Sequence, residues 1–406
     1  MPETSWLMST SSAFRLMIAT SWLAPDSWRE RQEQAIREAL DAGPDWNEYL
    51  QLVDRHGTPG LSWAALGRVA GIVLPELVRQ ELQKRSDGCR KQAIVDCLLL
   101  GDVLKRLNRA GIPAMPLKGQ VLSFALYQDV GLRFSRDLDV EVERENIEKA
   151  QACIESKQWE LESTFFPLSP LQWQSFLRNE QHINFVHSQT GRTLELHWRN
   201  QWETPEATSA RWARSVAAVW QGRSIHVMNP CDMALYLCSH GGHHAWFRAK
   251  WLGDLARAHS LGLLDWDAAL IEARRGKHER VLRVGIFLLD QLYGLAVPHL
   301  PVDARMDRPS PLIETPLQAL KDPEVPAFRT DPASLLYRLR MSRYQRLLRP
   351  QKAWRESLSE LFYQREDFRM LSIPDRFFWA YKLLRPVLWI WRWARQSRGQ
   401  AANCRG

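Results

Sequence analysis

Apolar residues repeat with helical period from about residue 27 to 110, alternate as strands do in short segments between 138 and 198, and return to helical period from Pro230. This change of period limits the fold more than any other feature. Helix and strand patterns cannot be exchanged without turning apolar side chains to water. The turn signals Asp41-Ala42-Gly43-Pro44 and Thr58-Pro59-Gly60 divide the first helical block. Its last helix is expected over Cys89 to Ala110, with Ile94, Cys97, Leu98, Leu104 and Leu107 near helical spacing and Gly111 as its stop. Next come the proline-containing run Ile112 to Leu117, then Lys118-Gly119 and a helix through Tyr127. A strand is expected over Leu138 to Val142, a helix over Arg144 to Ser156, and strands over His182 to Val186 and Thr193 to Trp198, joined by Ser188-Gln189-Thr190-Gly191. The pattern predicts an α+β chain in which a small mixed β-sheet core is flanked by N-terminal and C-terminal helical regions. The expected regions are a helical 1–110, the sheet core 111–228, a helical 229–297 that closes a cleft, a proline-rich linker 298–332, and a basic, aromatic tail 333–406.

In Arg136-Asp137-Leu138-Asp139-Val140-Glu141-Val142 every second residue is acidic. On a strand, Asp137, Asp139 and Glu141 therefore share one face, and Leu138, Val140 and Val142 must bury the other. Thr193-Leu194-Glu195-Leu196-His197 repeats the device, with Glu195 and His197 opposite two leucines. If the two strands are neighbours, Asp137, Asp139 and Glu195 can hold hard divalent cations, because Mg2+ takes carboxylate and phosphate oxygens. A solvated acidic strand and a surface acid in a hairpin are the alternatives. Lys118-Gly119 stands where a strand gives way to a helix, so the first-turn N–H groups and the Lys118 ammonium could face an anion, or the pair is simply a turn. Arg133 and Arg136 either clamp phosphate oxygens or balance Asp137 and Asp139.

Charge is unevenly placed. The net charge is +8, yet residues 333–406 hold 16 Lys/Arg against 5 Asp/Glu, a surplus of 11, which leaves 8 − 11 = −3 for the first 332 residues. Within the tail, Phe377, Phe378, Trp379, Tyr381, Trp389, Trp391 and Trp393 interleave with Lys382, Arg385, Arg392 and Arg395. Such a segment either lies on an anionic membrane surface or packs on the protein itself; nucleic acid is a less favoured partner. No stretch reaches the roughly 18 apolar residues of a membrane span. The apolar run Phe14 to Ala24 contains Arg15 and leads into Pro25-Asp26-Ser27, unlike a signal peptide. Six scattered cysteines without CxxC spacing read as reduced thiols, which points to the cytoplasm, with a peripheral membrane location through the tail as the other reading.

His240-Gly241-Gly242-His243-His244 offers imidazoles at i, i+3 and i+4. A zinc site completed by Asp254, buried core histidines, and a helical wall over the cleft are the three readings, and the paired glycines speak against a rigid helix.

In order, Pro116-Leu117-Lys118-Gly119, Tyr127-Gln128-Asp129, Arg133, Arg136-Asp137-Leu138-Asp139-Val140, Leu194-Glu195-Leu196-His197-Trp198, His243-His244-Ala245-Trp246 and Trp251-Leu252-Gly253-Asp254-Leu255 resemble the uncharacterised bacterial nucleotidyltransferase family of the polymerase-beta superfamily. The resemblance covers roughly residues 15–295. It implies a minimal nucleotidyltransferase sheet in which Asp137 and Asp139 bind magnesium and Glu195 is the third carboxylate. His240, His243 and Asp254 would touch nucleotide or acceptor. The chain departs from the superfamily in having Lys118-Gly119 for Gly-Gly or Gly-Ser, an 18-residue step from Gly119 to Asp137, and Glu for the usual Asp.

The resulting expectation is a nucleotidyltransferase that uses Mg2+ or Mn2+ to transfer a nucleoside monophosphate from a nucleoside triphosphate to an unidentified acceptor hydroxyl, with Lys118, Gly119, Arg133 and Arg136 on the nucleotide. The alternative is a catalytically silent nucleotide- or partner-binding relative, peripheral to the membrane in envelope polysaccharide synthesis.

Overall fold

The turn signals at 41–44 and 58–60 fall at helix boundaries. The Asp45 carboxylate accepts from the amides of Asn47 and Glu48 to open a helix at Trp46, and Gly57, at φ 67°, closes it. The computed structural model describes residues 5–162, 167–200, 202–297, 310–321, 332–349, 365–388 and 390–391. Helices α1 (Ser5–Met8), α2 (Ser12–Thr20), α3 (Arg29–Asp41), α4 (Trp46–His56), α5 (Pro59–Gly67) and α6 (Glu76–Arg109) lead to strand β1 (Met115–Pro116) and α7 (Gly119–Tyr127). Next come β2 (Asp137–Glu141), α8 (Ile147–Ile154), β3 (Trp159–Leu161), α9 (Pro170–Asn179), β4 (His182–His187), β5 (Thr193–His197), α10 (Pro205–Arg214) and the hairpin β6 (Val216–Trp220) with β7 (Arg223–Val227). Helices α11 (Pro230–His243), α12 (Ala249–Ser260), α13 (Trp266–Arg275), α14 (Glu279–Tyr293), α15 (Pro311–Lys321), α16 (Pro332–Leu348) and α17 (Arg365–Met370) follow.

The mixed α+β class is as expected. The main sheet has the order β1-β2-β5-β4-β3, with β2 and β5 parallel and every other pair antiparallel. Leu138, Val140, Leu194, Leu196, Ile183 and Phe185 form its apolar face and join Leu100, Val103, Leu104 and Leu107 of α6 and Ile147 and Ile154 of α8 in one core. The opposite, polar face is left for a cleft.

Sequence order set the first and third regions apart, but packing joins them. Phe14, Leu16 and Ile18 of α2, Tyr49 and Val53 of α4, Leu237 of α11, Leu252 and Leu255 of α12, and Leu288 and Leu289 of α14 share one core. Helix α6 starts at Glu76, thirteen residues before the expected Cys89, because its charged first half extends the helix. It links the two cores: Val78 and Leu82 lie in the first, Leu100 to Leu107 in the second. Of the residues expected on its apolar face, Cys97, Leu104 and Leu107 are buried, whereas Ile94 and Leu98 are 53% and 70% exposed and Ala93 is buried instead.

The stretch expected as a linker contains α15, whose Ile313, Leu317 and Leu320 enter the first core; the remainder, 298–309 and 322–331, lies outside the described residues. The β6–β7 hairpin closes through Gln221-Gly222, both at positive φ, and was not anticipated. In the tail, Asp375 accepts from the Ser169 hydroxyl and the Leu171 amide, and Gln172 donates to the Tyr381 hydroxyl at 3.0 Å, so this segment packs on α9. Phe378 and Tyr381 pack inward, whereas Phe377, Trp379, Leu383, Val387 and Trp391 are exposed. Trp389, Arg392, Trp393 and Arg395 lie outside the described residues. No helix among the described residues is long and apolar enough to cross a membrane, and their five cysteines are free.

The glycine pair at 241–242, which speaks against a rigid helix in the sequence, sits inside α11. Close packing requires it: a Cβ on Gly241 would stand 2.3 Å from the buried Trp246 ring, and Gly242 abuts Val281 of α14. Gly241→Ala is therefore expected to cost about 1–3 kcal/mol despite alanine's better helix propensity. Denaturant midpoints measure the loss, and an unchanged midpoint would contradict this packing argument.

Candidate active site

The register of β2 and β5 sets Asp139 directly beside Glu195 and Glu141 beside His197. One oxygen from each of Asp137, Asp139 and Glu195 can be chosen so that all lie within 4.8 Å of one another. The third acid of the Asp-x-Asp-x-Glu run is used differently. Glu141 is fully buried and accepts from Arg211 at 2.7 and 2.9 Å and from the Trp212 indole at 2.7 Å, so α10 is anchored to the sheet.

Asp139 is only 3% exposed, and neither of its oxygens has a well-directed hydrogen bond among the described residues. Its near neighbours are cationic or protonatable: Lys118 Nζ at 3.1 Å and His197 Nε2 at 3.3 Å. His197 Nε2 also lies 3.2 Å from Glu195. Burial opposes charge on His197, but the adjoining carboxylates of Asp139 and Glu195 prevail and raise its pKa to about 9. Burial would likewise raise Glu195, yet the hydrogen bond and charge of His197 hold it down at about 2. The cluster thus sets three carboxylates beside one lysine and one imidazole whose charged form they favour. A buried carboxylate without directed hydrogen bonds, beside two further oxygen donors, suits a hard divalent cation.

The supporting loop is fixed by buried charge. Arg133 Nε donates to both oxygens of Asp254 at 2.9 and 2.8 Å, and both side chains are almost fully buried. Lys250 donates to the Phe134 carbonyl at 3.0 Å, Ser135 to the Asp137 carbonyl at 2.9 Å, and Arg192 joins the Ser135 carbonyl to Asp96 of α6. These contacts hold the chain immediately before Asp137 against α12 and α6. Gly119, at φ +70°, opens α7 just after Lys118, a backbone setting that a side chain would strain.

A recess of about 230 Å³ lies over the carboxylates, lined by Lys118, Asp137, Asp139, Glu195 and His197 and closed by Tyr236, Ser239, His240 and His243 of α11 with His244 at its end. Lys118, His240 and His243 therefore reach the recess as expected. Gly119, Arg133, Arg136 and Asp254 are not among its lining residues: Arg133 and Asp254 neutralise each other behind it, and Arg136 is exposed. That pairing also removes Asp254 from the zinc arrangement with His240 and His243, whose rings pack instead against His244. His182 and Asn200 line the recess too. Their roles depend on strand register and on the path after β5, although the alternation of His182 and Asn184 with Ile183 and Phe185 did mark a polar face. A larger cavity of about 770 Å³ adjoins the recess and shares Asn200, Tyr236 and Ser239 with it.

His56 of α4 supports the far side of α12, accepting from the Ala249 amide at 3.0 Å. Burial, reinforced by the charges of Arg55 and Arg248, lowers its pKa to about 3. A folded value below the unfolded one means that stability is fully present above about pH 6.5 and is lost as pH falls toward 3. At pH 5 the loss is about 2 kcal/mol from this residue. Urea unfolding at pH 7 and pH 5 should show a smaller difference for His56→Gln than for the wild type; equal differences would contradict the assignment.

A sequence model described as "uncharacterised nucleotidyltransferase" matches residues 42–294, more than half of the 406-residue chain. Comparison with curated proteins and with solved structures gives no match.

Proposed function

The chain belongs to the uncharacterised nucleotidyltransferase family, and on that premise we propose that it uses Mg2+ or Mn2+ at Asp137, Asp139 and Glu195 to transfer a nucleoside monophosphate from a nucleoside triphosphate to an acceptor hydroxyl. The single observation carrying this reading is the convergence of those three carboxylates on one recess from neighbouring parallel strands. A divalent cation bound there would screen phosphate charge and stabilise the charge that develops as the acceptor oxygen attacks the α-phosphate and pyrophosphate leaves.

Lys118 neutralises Asp139 in the protein alone and is the residue in this reading that turns to the triphosphate once a cation takes over that charge. Arg136, exposed beside Asp137, is the second phosphate contact, with Gly119 allowing the backbone to approach. Arg133 acts through the loop it fixes. His240 and His243 cover the recess and contact nucleotide or acceptor. A recess of about 230 Å³ is small beside the roughly 300–1,000 Å³ of ordinary ligand pockets, so it suits the cation and phosphates, and the adjoining 770 Å³ cavity is left for an organic moiety.

A silent nucleotide-binding relative is the competing reading, favoured by the Lys118–Asp139 pair that already offsets one ligand charge. Incubation with each labelled triphosphate, Mg2+ and cell extract distinguishes the two. Pyrophosphate release and a labelled acceptor, both abolished by EDTA, are expected; nucleotide binding without release would favour the silent relative.

A further inference from the structure

The polar face of the sheet carries a second set of donors beside the three carboxylates. Strands β4 and β5 run antiparallel with His182 directly opposite His197, and Glu195 shares that face two residues before His197. The two imidazole rings lie 4.9 Å apart, tilted by 47°. Ligand atoms of His182, Glu195 and His197 can be chosen that all lie within 4.8 Å of one another. His182 Nδ1 is buried and has no hydrogen-bond partner among the described residues, a cost that a bound ion would remove by using or orienting that ring. All three side chains line the recess.

We propose that His182, Glu195 and His197 form a second cation subsite of mixed nitrogen and oxygen donors, taking a transition ion of the Zn2+ or Co2+ class, with Glu195 shared with the oxygen triad. The donor chemistry separates the two positions. Asp137, Asp139 and Glu195 offer oxygen alone, the preference of Mg2+. Two imidazoles and one carboxylate suit Zn2+ and its neighbours, leaving coordination positions open to water or to an oxygen of a substrate. His197 Nε2 lies against both Glu195 and Asp139 in the protein alone, so the ring already stands where an ion held by Glu195 would meet it. The inference rests on the reading that this recess binds divalent cations, but it does not need nucleotidyl transfer to occur.

The test is a titration of the full, EDTA-treated chain with Co2+ alone, no nucleotide, in excess Mg2+ to fill the oxygen triad. A visible absorption band of nitrogen-ligated Co2+ saturating at one ion per chain is expected. His182→Ala and His182→Gln should each weaken it by about tenfold or more, with folding of both variants checked by their melting curves. Asp137→Asn should leave the band in place. Absence of the band, its survival in both His182 variants, or its loss in Asp137→Asn would overturn the proposal. Failure of transfer in the labelled-triphosphate assay while the band persists would count against the proposed function alone.

Discussion

Replacing Asp139 by asparagine is expected to lower Mg2+-dependent transfer by about 10³-fold, equivalent to about 4 kcal/mol of transition-state stabilisation. Asparagine keeps the volume of a side chain that is 3% exposed, so the strand and its pairing with Glu195 should survive. What it removes is the charge that faces Lys118 at 3.1 Å and His197 at 3.3 Å, and with it one of the three carboxylates proposed to hold the cation. Pyrophosphate release at saturating triphosphate is the readout. A variant within about threefold of the wild type would mean that Asp139 serves only to balance Lys118.

Asp254→Ala carries the largest expected effect on stability, a loss of about 3–5 kcal/mol. Asp254 is 1% exposed and accepts from Arg133, itself 3% exposed, and Lys250 is buried beside the same loop. Burial disfavours charge on each member, and the mutual attraction of Arg133 and Asp254 offsets that cost. Truncating the anion leaves buried cations without it. The double variant Arg133→Met with Asp254→Leu should recover much of the loss, because it removes the charges together. Denaturant unfolding of the two variants checks this; a single variant as stable as the double would show that water reaches the freed guanidinium. The loop running through Phe134 and Ser135 to Asp137 depends on this pair, so Asp254→Ala should also reduce transfer at temperatures where it remains folded.

The parts of the site carried by local alternation were legible in the sequence. Asp137-Leu138-Asp139 and Leu194-Glu195-Leu196 each declare one polar and one apolar face, and the structure buries those leucines. The parts carried by partners distant in the chain were not. Arg133 and Asp254 are 121 residues apart, and nothing local reports that they neutralise one another, so Arg133 read as a phosphate clamp or a counter-charge to Asp137 and Asp139, and Asp254 as a zinc ligand or a cleft contact. His182 gains its place only through register with His197. Gly241 spoke against a rigid helix, since the Trp246 ring that requires a glycine comes from the turn after the helix. The β6–β7 hairpin has a local signal of its own, two five-residue runs around Gln221-Gly222.

The reading of the cleft depends on one divalent cation being shared by side chains of β2 and β5. Diffraction from crystals grown with Mn2+ and a non-hydrolysable nucleoside triphosphate measures this directly. An anomalous peak within coordination distance of Asp137, Asp139 and Glu195 is expected, with Lys118 moved from Asp139 toward phosphate. A triphosphate bound elsewhere, or Lys118 still against Asp139 with no peak between the carboxylates, would contradict it.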